Sequence, residues 1–246
     1  MSPRLALVTG GIGGIGTQIC RALAASGHTV IASDLAASTE RLAQFSDSVA
    51  GLDVHFEAAD VSRMADCEDL VQRIRDKHGA IDVLVNGAGI TRDISLRKMS
   101  SEQWQEVLRV NLDSVFNLCR LVADGMCERG FGRIVNISSI IGQTGAFGQS
   151  NYAAAKAGMH GFTMALAREL AAKGVTVNSV SPGYIDTAMT AAIPEALRAQ
   201  MISAIPVGRM GRPEEIARVI AFLCAEESGY LTGVNLPVNG GLFISF

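Results

Sequence analysis

Tyr152 and Lys156 stand four residues apart, behind a serine pair, Ser138 and Ser139, in a stretch punctuated by Gly142, Gly145 and Gly148. Tyr152-Ala-Ala-Ala-Lys156 reads as the start of an Ala-rich helix, and residues four apart on a helix share a face. An ammonium is thereby placed in the neighbourhood of a phenol. A free phenol has a pKa of roughly 10, and a nearby cation is expected to bring it down by about 1–3 units by favouring the phenolate. Such a tyrosine can give a proton to a developing alkoxide or take one from an alcohol, while a hydroxyl at Ser139 holds the oxygen concerned. That chemistry is carbonyl reduction by hydride. Tyr-x-x-x-Lys also recurs by chance on surface helices, so the pair carries this reading only together with a site for a hydride donor.

Such a site is legible at the other end of the chain. Leu5-Ala-Leu-Val8 is a continuous apolar run, as a parallel strand covered on both faces requires. It feeds Thr9-Gly-Gly-Ile-Gly-Gly-Ile-Gly16, in which G-x-G-x-x-G (Gly11, Gly13, Gly16) overlies T-G-x-x-x-G-x-G (Thr9, Gly10, Gly14, Gly16), and a helical pattern follows. Strand, glycines and helix in that order let a backbone approach a pyrophosphate at a helix N-terminus. The pattern predicts cofactor contacts from Gly10, Gly13, Gly14, Ile15 and Gly16. A second strand, His28 to Ser33, ends at Asp34, whose carboxylate can accept the adenosine ribose hydroxyls and repels a 2′-phosphate. Gly13 and Ser33 supply no Arg or Lys against that repulsion, so NAD(H) is expected over NADP(H). A competing reading makes Asp34 the cap of the next helix.

Further strands, Val54–Ala58 and Ile81–Val85, end at Asp60-Val61, set for the adenine edge, and at Asn86-Gly87-Ala88-Gly89, where small residues would let the cofactor lie close. Asn86 to Gly89 also reads as an ordinary tight turn. An amphipathic helix from Arg63 to Lys77 lies between them. Ser100 and Gln103 form a plausible capping box for a helix around Trp104 to Asp124. Asn111, inside it, is disfavoured mid-helix; it is either an exposed or locally satisfied polar residue or a carbonyl or water ligand behind Lys156. The Arg133–Ile137 strand leads to the serines. A later strand, Val175–Val180, runs into Pro182, Gly183, Tyr184, Ile185 and Thr187, where a nicotinamide carboxamide could meet Thr187. Residues 188–210 read as a mobile flap, Pro213 opens the last helix and Val234–Val238 is the last strand.

The 246 residues, 48% of them hydrophobic, suit one α/β domain spanning 1–246. A net charge of −3 with no basic block speaks against a nucleic-acid partner or a membrane surface. Five cysteines without a C-x-x-C pair, and without histidines at ligand spacing, predict reduced thiols and no metal. The absence of a signal-peptide h-region and of any long apolar run predicts a cytoplasmic protein.

Taken together, Thr9 to Gly16, Asn86 to Gly89, Asn111, Ser139, Tyr152, Lys156 and Pro182-Gly183 resemble the short-chain dehydrogenase/reductase family, in order over the whole chain. The resemblance implies a doubly wound, Rossmann-type fold with a seven-stranded parallel sheet and helices on both faces. It implies Tyr152 as acid/base, Lys156 lowering its pKa and binding the nicotinamide ribose, Ser139 orienting the carbonyl and Asn111 positioning a relay water. It also implies a homotetramer. Within the family, the segments 90–99, 129–133 and 143–152 resemble acetoacetyl-CoA reductases of polyhydroxybutyrate synthesis and, more loosely, 3-oxoacyl-acyl-carrier-protein reductases. Both subgroups reduce a 3-oxoacyl thioester to the (3R)-hydroxyacyl thioester, commonly with NADPH; Asp34 argues instead for NADH. Asp93, Lys98, Gln143, Phe147, Gln149 and Tyr184 form the implied substrate set, with Arg92, Arg97 and Lys98 offering charge to CoA phosphates or simply a solvated basic face. The family usually has a second Asn where this chain has Gly87. A dinucleotide-binding sensor without turnover would be expected to lose Tyr152 or Lys156, and a serine hydrolase on Ser139 lacks the G-x-S-x-G elbow.

Overall fold

In the computed structural model, which describes residues 3–187, 190 and 193–244, seven strands alternate with helices. They are β1 (Leu5–Thr9), β2 (Thr29–Asp34), β3 (Val54–Ala58), β4 (Val83–Asn86), β5 (Gly132–Ile137), β6 (Val175–Pro182) and β7 (Asn235–Val238). All pairs are parallel, in the order β3-β2-β1-β4-β5-β6-β7, so the winding reverses between β1 and β4. Crevices at such a reversal, outside the carboxyl ends of the strands, are where ligands bind in open α/β sheets. The register brings those ends level: Thr9 pairs with both Ser33 and Asn86, Asn86 with Asn136, and Ile137 with Val180.

The helices are α1 (Gly14–Ala25), α2 (Thr39–Ser48), α3 (Met64–His78), α4 (Ser101–Leu108), α5 (Ser114–Arg129), α6 (Ile141–Thr144), α7 (Ser150–Leu170), α8 (Glu195–Ser203) and α9 (Pro213–Cys224). Alternate residues of each strand serve opposite faces. Ala6, Val8, Val30, Ala32, Val83 and Val85 pack with Ile19 and Leu23 of α1 and Ile216 and Ile220 of α9. Leu5, Leu7, Ile31, Leu84 and Ile134 pack with Leu70 of α3, Leu118 of α5 and Met159 of α7. Burying each such Leu or Ile is worth about 1.5–3 kcal/mol. A register slip of one residue would exchange the two sets, and the strands are therefore held where the site needs them.

Three local features depart from the sequence reading. Helix α2, the helix that Asp34 would have capped, starts only at Thr39, behind the N-cap Ser38, and buries Phe45. The helix around Trp104 runs from Ser101 to Arg129 but is broken by a π-helical turn, Arg109–Asp113, with Asn111 at its centre. Its capping box is formed, with Ser100 N–H donating to Gln103 Oε1 at 3.0 Å and Gln103 N–H to Ser100 Oγ at 3.2 Å. Of the flap expected over 188–210, residues 188, 189, 191 and 192 lie outside the described residues, 195–203 form α8, and Ile205 and Met210 are buried.

Candidate active site

Helix α7 is docked at its N-terminal end by contacts that fix Tyr152 and Lys156. Ser138 Oγ donates to the Lys156 carbonyl at 2.9 Å. The buried Asn151 accepts the Tyr152 N–H on Oδ1 at 2.8 Å and donates from Nδ2 to the Arg92 carbonyl at 3.3 Å. Gly142 lies so close to α7 that a Cβ there would fall 2.8 Å from the Lys156 carbonyl carbon. Lys156 Nζ donates to the Ile137 carbonyl at 2.7 Å and sits 5.6 Å from the centroid of the Tyr152 ring. Burial without a carboxylate pushes the Lys156 ammonium down from 10.5 to about 8.

The expected lowering of Tyr152 is not found. Burial raises its pKa, the neighbouring Ser139 hydroxyl pulls it partly back, and the charge of Asp93 raises it again. The ammonium that was to lower it is desolvated and directed at a backbone carbonyl. A phenol kept protonated by its desolvated surroundings is the form that a proton donor requires. Ser139 Oγ accepts the Ile141 N–H at 3.1 Å, which leaves its own proton to donate.

Asn111 is locally satisfied on the donor side of its amide and unpaired on the acceptor side. It is fully buried, and its Nδ2 donates to the carbonyls of Ile90 and Val107, each at 2.9 Å. Its Oδ1 has no partner among the described residues. A Cβ on Gly89 would lie 2.6 Å from that oxygen and 3.6 Å from Lys156 Nζ, so the two polar groups border the same space beside Gly89. Leaving such an acceptor unpaired costs about 1–3 kcal/mol, and π turns of this kind recur at functional sites.

The glycines divide by what the fold asks of them. Gly10 has a φ of 66° and a Cβ there would meet the Gly87 carbonyl at 2.8 Å; one on Gly16 would fall 2.0 Å from the Gly10 carbonyl. A Cβ on Gly13 would meet only the Gly10 carbonyl, at 3.3 Å, and one on Gly14 only the Thr187 side chain. Gly13 caps α1 without a side-chain hydrogen bond, so the N–H groups of Gly14, Ile15 and Gly16 have no partner within their helix. An open cradle of free amides at a positive helix end fits a pyrophosphate. Asp34 does not cap α2, because Ser38 does: its Oγ accepts the Arg41 N–H at 3.3 Å. These features fit a dinucleotide.

Other candidate residues are placed less directly. The Asn86 side chain turns into the core and donates to Asn136 Oδ1 at 2.8 Å. Gly87 and Ala88 donate their N–H groups to Thr9 Oγ1, at 3.0 and 3.2 Å. Asp60 Oδ1 is taken by the N–H and hydroxyl of Ser62, and the Val61 carbonyl by Asn117. The Pro182 carbonyl accepts Ile140 N–H, Ile185 is buried, and Gly183 abuts Asn239, where a Cβ would fall 2.8 Å from its Cα. At the substrate side, Gln149 Nε2 donates to Asp93 Oδ2 at 2.9 Å and Ile94 N–H to the Gly148 carbonyl at 2.8 Å, zipping the two segments together. Phe147 projects beyond them, 96% exposed. Gln143 keeps a buried, unpaired Oε1, Tyr184 is half-buried, and Lys98 is exposed with no ion pair among the described residues.

Residues 10–243 match the family model described as enoyl-(acyl carrier protein) reductase. The chain is 58% identical over 244 residues to an acetoacetyl-CoA reductase of Allochromatium vinosum, covering 98% of this chain and 99% of that protein. The chain belongs to the short-chain dehydrogenase/reductase family. An acetoacetyl-CoA reductase of Cupriavidus necator is 49% identical over 243 residues, with 98% and 99% covered, and a 3-oxoacyl-acyl-carrier-protein reductase of Escherichia coli 44% over 241 residues, with 98% of each covered. It is an oxidoreductase of this family, whose members use a nicotinamide cofactor. Among the described residues no helix is long and apolar enough to cross a membrane.

Two residues of this short-chain dehydrogenase/reductase escaped the sequence reading. Asn151 holds Tyr152 through its backbone, and its only signal was adjacency to the tyrosine. Arg41 stands with Nη2 3.7 Å from Asp34 Oδ2, so a cation does reach the carboxylate that was read as unopposed. It lies in the first turn of α2, a helix to which the sequence reading gave no bounds. At Gly87 a Cβ would come 2.7 Å from the Thr9 carbonyl, so a side chain there would require the backbone to shift.

Proposed function

We propose that this protein is an acetoacetyl-CoA reductase that prefers NADH, reducing a short 3-oxoacyl-CoA to the (3R)-3-hydroxyacyl-CoA in the cytoplasm, for polyhydroxybutyrate synthesis. The observation that carries the proposal is full-length identity of 58% to a protein of that name, joined to the buried Lys156 and Asn111 beside the half-buried Tyr152 and Ser139.

Reduced nicotinamide dinucleotide, when bound, supplies the hydride. Gly10, Gly13, Gly14, Ile15 and Gly16 receive its pyrophosphate, and Asp34 accepts the ribose hydroxyls. Ser139 donates its free hydroxyl proton to the substrate carbonyl and orients it. Tyr152 gives its phenolic proton to the oxygen as negative charge develops there. Lys156 compensates the phenolate left behind, and Asn111 Oδ1 offers the acceptor through which that proton is replaced from solvent. The Asp93–Gln149 zipper and Phe147 border the acyl entrance, with Gln143, Tyr184 and Lys98 completing the substrate set. Phe116 and Met164, about half exposed on α5 and α7, favour a homotetramer joined through these helices.

A 3-oxoacyl-acyl-carrier-protein reductase is the second reading, supported by the 44% relative. Steady-state kinetics with NADH and NADPH against acetoacetyl-CoA, longer 3-oxoacyl-CoAs and the same acyl groups on carrier protein test both readings. Highest kcat/KM with acetoacetyl-CoA and NADH is expected. Preference for the carrier-protein thioester would replace the first reading by the second.

A further inference from the structure

Helix α7 carries an imidazole on the turn after Lys156. His160 stands four residues on, and residues at that spacing are neighbours on a helix surface. Its Nε2 lies 3.2 Å from Ser181 Oγ. The Ser181 hydroxyl donates to Asn235 Oδ1 at 2.8 Å, and Ser179 Oγ donates to the same oxygen at 3.0 Å. Both serines are fully buried in β6, and Asn235 opens β7. A hydroxyl has one proton, and that of Ser181 is committed to Asn235, so Ser181 Oγ accepts and His160 donates from Nε2. Burial, and then the charge of Lys156, hold the imidazole below its ordinary pKa of 6.5, so near neutral pH the donor is the neutral Nε2–H tautomer. Lys156 and His160 thus grip two adjoining strands from successive turns of one helix. Lys156 Nζ donates to the carbonyl of Ile137, where β5 ends, and Ile137 pairs with Val180, the neighbour of Ser181 in β6. Ser181 in turn precedes Pro182 and Gly183, the strand end that leads into the segment expected to meet the nicotinamide.

We propose that His160 is a positioning residue for the reduction: through Ser181 it ties the carboxyl end of β6 to α7, so that Pro182 and Gly183 keep their place relative to Lys156 and Tyr152. The inference rests on the nicotinamide-dependent reductase reading and is independent of the acyl carrier. Removing the imidazole leaves Ser179 and Ser181 still donating to Asn235, so what is lost is the tether between helix and strand. Gly10 to Gly16 and Asp34 lie at the ends of β1 and β2 and the start of α1, elements the tether does not join, so nucleotide binding is largely kept.

The test compares the wild type with His160→Leu, which has no donor, His160→Gln, which keeps an N–H donor, Ser181→Ala, and the double variant of His160→Leu with Ser181→Ala. NADH affinity is read by nucleotide fluorescence without acyl substrate, hydride transfer by single turnover with saturating NADH and acetoacetyl-CoA, and strand-end order by amide hydrogen exchange of the cofactor-free protein. His160→Leu and Ser181→Ala are each expected to slow the single turnover about tenfold or more, as small misplacements of reacting groups do, with NADH affinity within about threefold of wild type. The double variant is expected to be no slower than either single one, because both remove one and the same contact. His160→Gln is expected to regain most of the rate. Exchange at Gly183, whose N–H donates to the Val238 carbonyl, and at Ile140, whose N–H donates to the Pro182 carbonyl, is expected to quicken in the slow variants and not in His160→Gln. Full rate with wild-type exchange in His160→Leu overturns the inference. So does a His160→Gln as slow as His160→Leu, which would make the imidazole a packing group alone, and so do additive losses in the double variant. Should His160→Leu fail to fold, Ser181→Ala against His160→Gln decides by the same readings. A wild type that binds NADH and does not reduce acetoacetyl-CoA overturns the proposed function, and the exchange comparison then decides the inference on its own.

Discussion

The ammonium of Lys156 is aimed at the carbonyl of Ile137, 2.7 Å away on the last residue of β5, with no carboxylate beside it among the described residues. A buried charge held by one neutral acceptor is expensive, and its pKa falls to about 8 from 10.5. Below pH 8 the lysine is charged in both folded and unfolded chains and the full penalty applies, on the order of 3 kcal/mol by conversion of the shift. Between pH 8 and 10.5 the folded chain releases the proton that the unfolded chain keeps, so stability rises with pH through this window. Lys156→Met should therefore stabilise the cofactor-free protein at pH 7 by about 1–2 kcal/mol, after loss of one hydrogen bond, a rise of roughly 2–8 °C in Tm. The same variant should lose turnover. Calorimetry at pH 7 and pH 10 checks both size and sign: a gain that does not shrink at pH 10 would contradict the buried-charge account.

Tyr152 is held protonated by burial, with Asp93 adding to the effect. In the reductive direction, its ionisation should leave no limb in the kcat/KM profile for the nucleotide below about pH 10, the ordinary phenol value. An alkaline limb near 8 belongs to Lys156 and should vanish from the residual activity of a variant that lacks Lys156. Tyr152→Phe should bind NADH within about threefold of wild type and lose turnover by about 100-fold or more, the range of general acid catalysis. Nucleotide titration beside single-turnover kinetics separates the two effects.

Much of this was legible from residue types alone. Strands β1 and β4 announce themselves because both faces are buried and their apolar runs are nearly continuous, whereas β5 and β6, equally buried, are interrupted by polar residues such as Asn136 and Asn178. Thr9 to Gly16 and Tyr152 to Lys156 announce themselves because backbone approach and proton transfer admit few substitutes. What stayed hidden depends on neighbours distant in sequence. The π turn at Asn111 is set by a carbonyl 21 residues away, at Ile90, and the pKa of Tyr152 by burial beneath several elements. The Arg41–Asp34 contact depends on where α2 begins, which its N-cap Ser38 fixes.

Asn111 joins a structural and a chemical task in one side chain, and the two can be separated. Its Nδ2 holds Ile90 and Val107, while its Oδ1 is open toward Lys156. Asn111→Leu removes both groups and should cost about 1–3 kcal/mol, because two buried carbonyls lose their donor. Asn111→Asp keeps the acceptor and removes the donors, placing a carboxylate in the space it shares with Lys156. The aspartate variant should raise the Lys156 pKa, since an opposite charge favours the ammonium, and shift the alkaline limb upward. An unchanged limb would show that residue 111 does not face Lys156 electrostatically.

Gly13 is the N-cap of α1 and Gly16 lies in its first turn, and substitution by alanine should separate fold from ligand. At Gly13, φ is −79° and ψ 170°, a conformation any residue adopts, and the added Cβ meets only the Gly10 carbonyl, at 3.3 Å. Gly13→Ala should fold with a loss of about 0.5–1 kcal/mol, the usual preference at a helix cap. It should nevertheless weaken NADH, because the methyl enters the side from which a pyrophosphate approaches. At Gly16, the Cβ falls 2.0 Å from the Gly10 carbonyl oxygen, so backbone must move. Gly16→Ala should lose stability by about 1–3 kcal/mol or more, as overpacking does, and affinity follows because α1 retreats from β1. Thermal melts and NADH titrations of the two variants form the comparison. If Gly13→Ala binds NADH like the wild type, the cofactor does not pass over Gly13, and the cradle must be drawn around Gly14 and Thr187 instead.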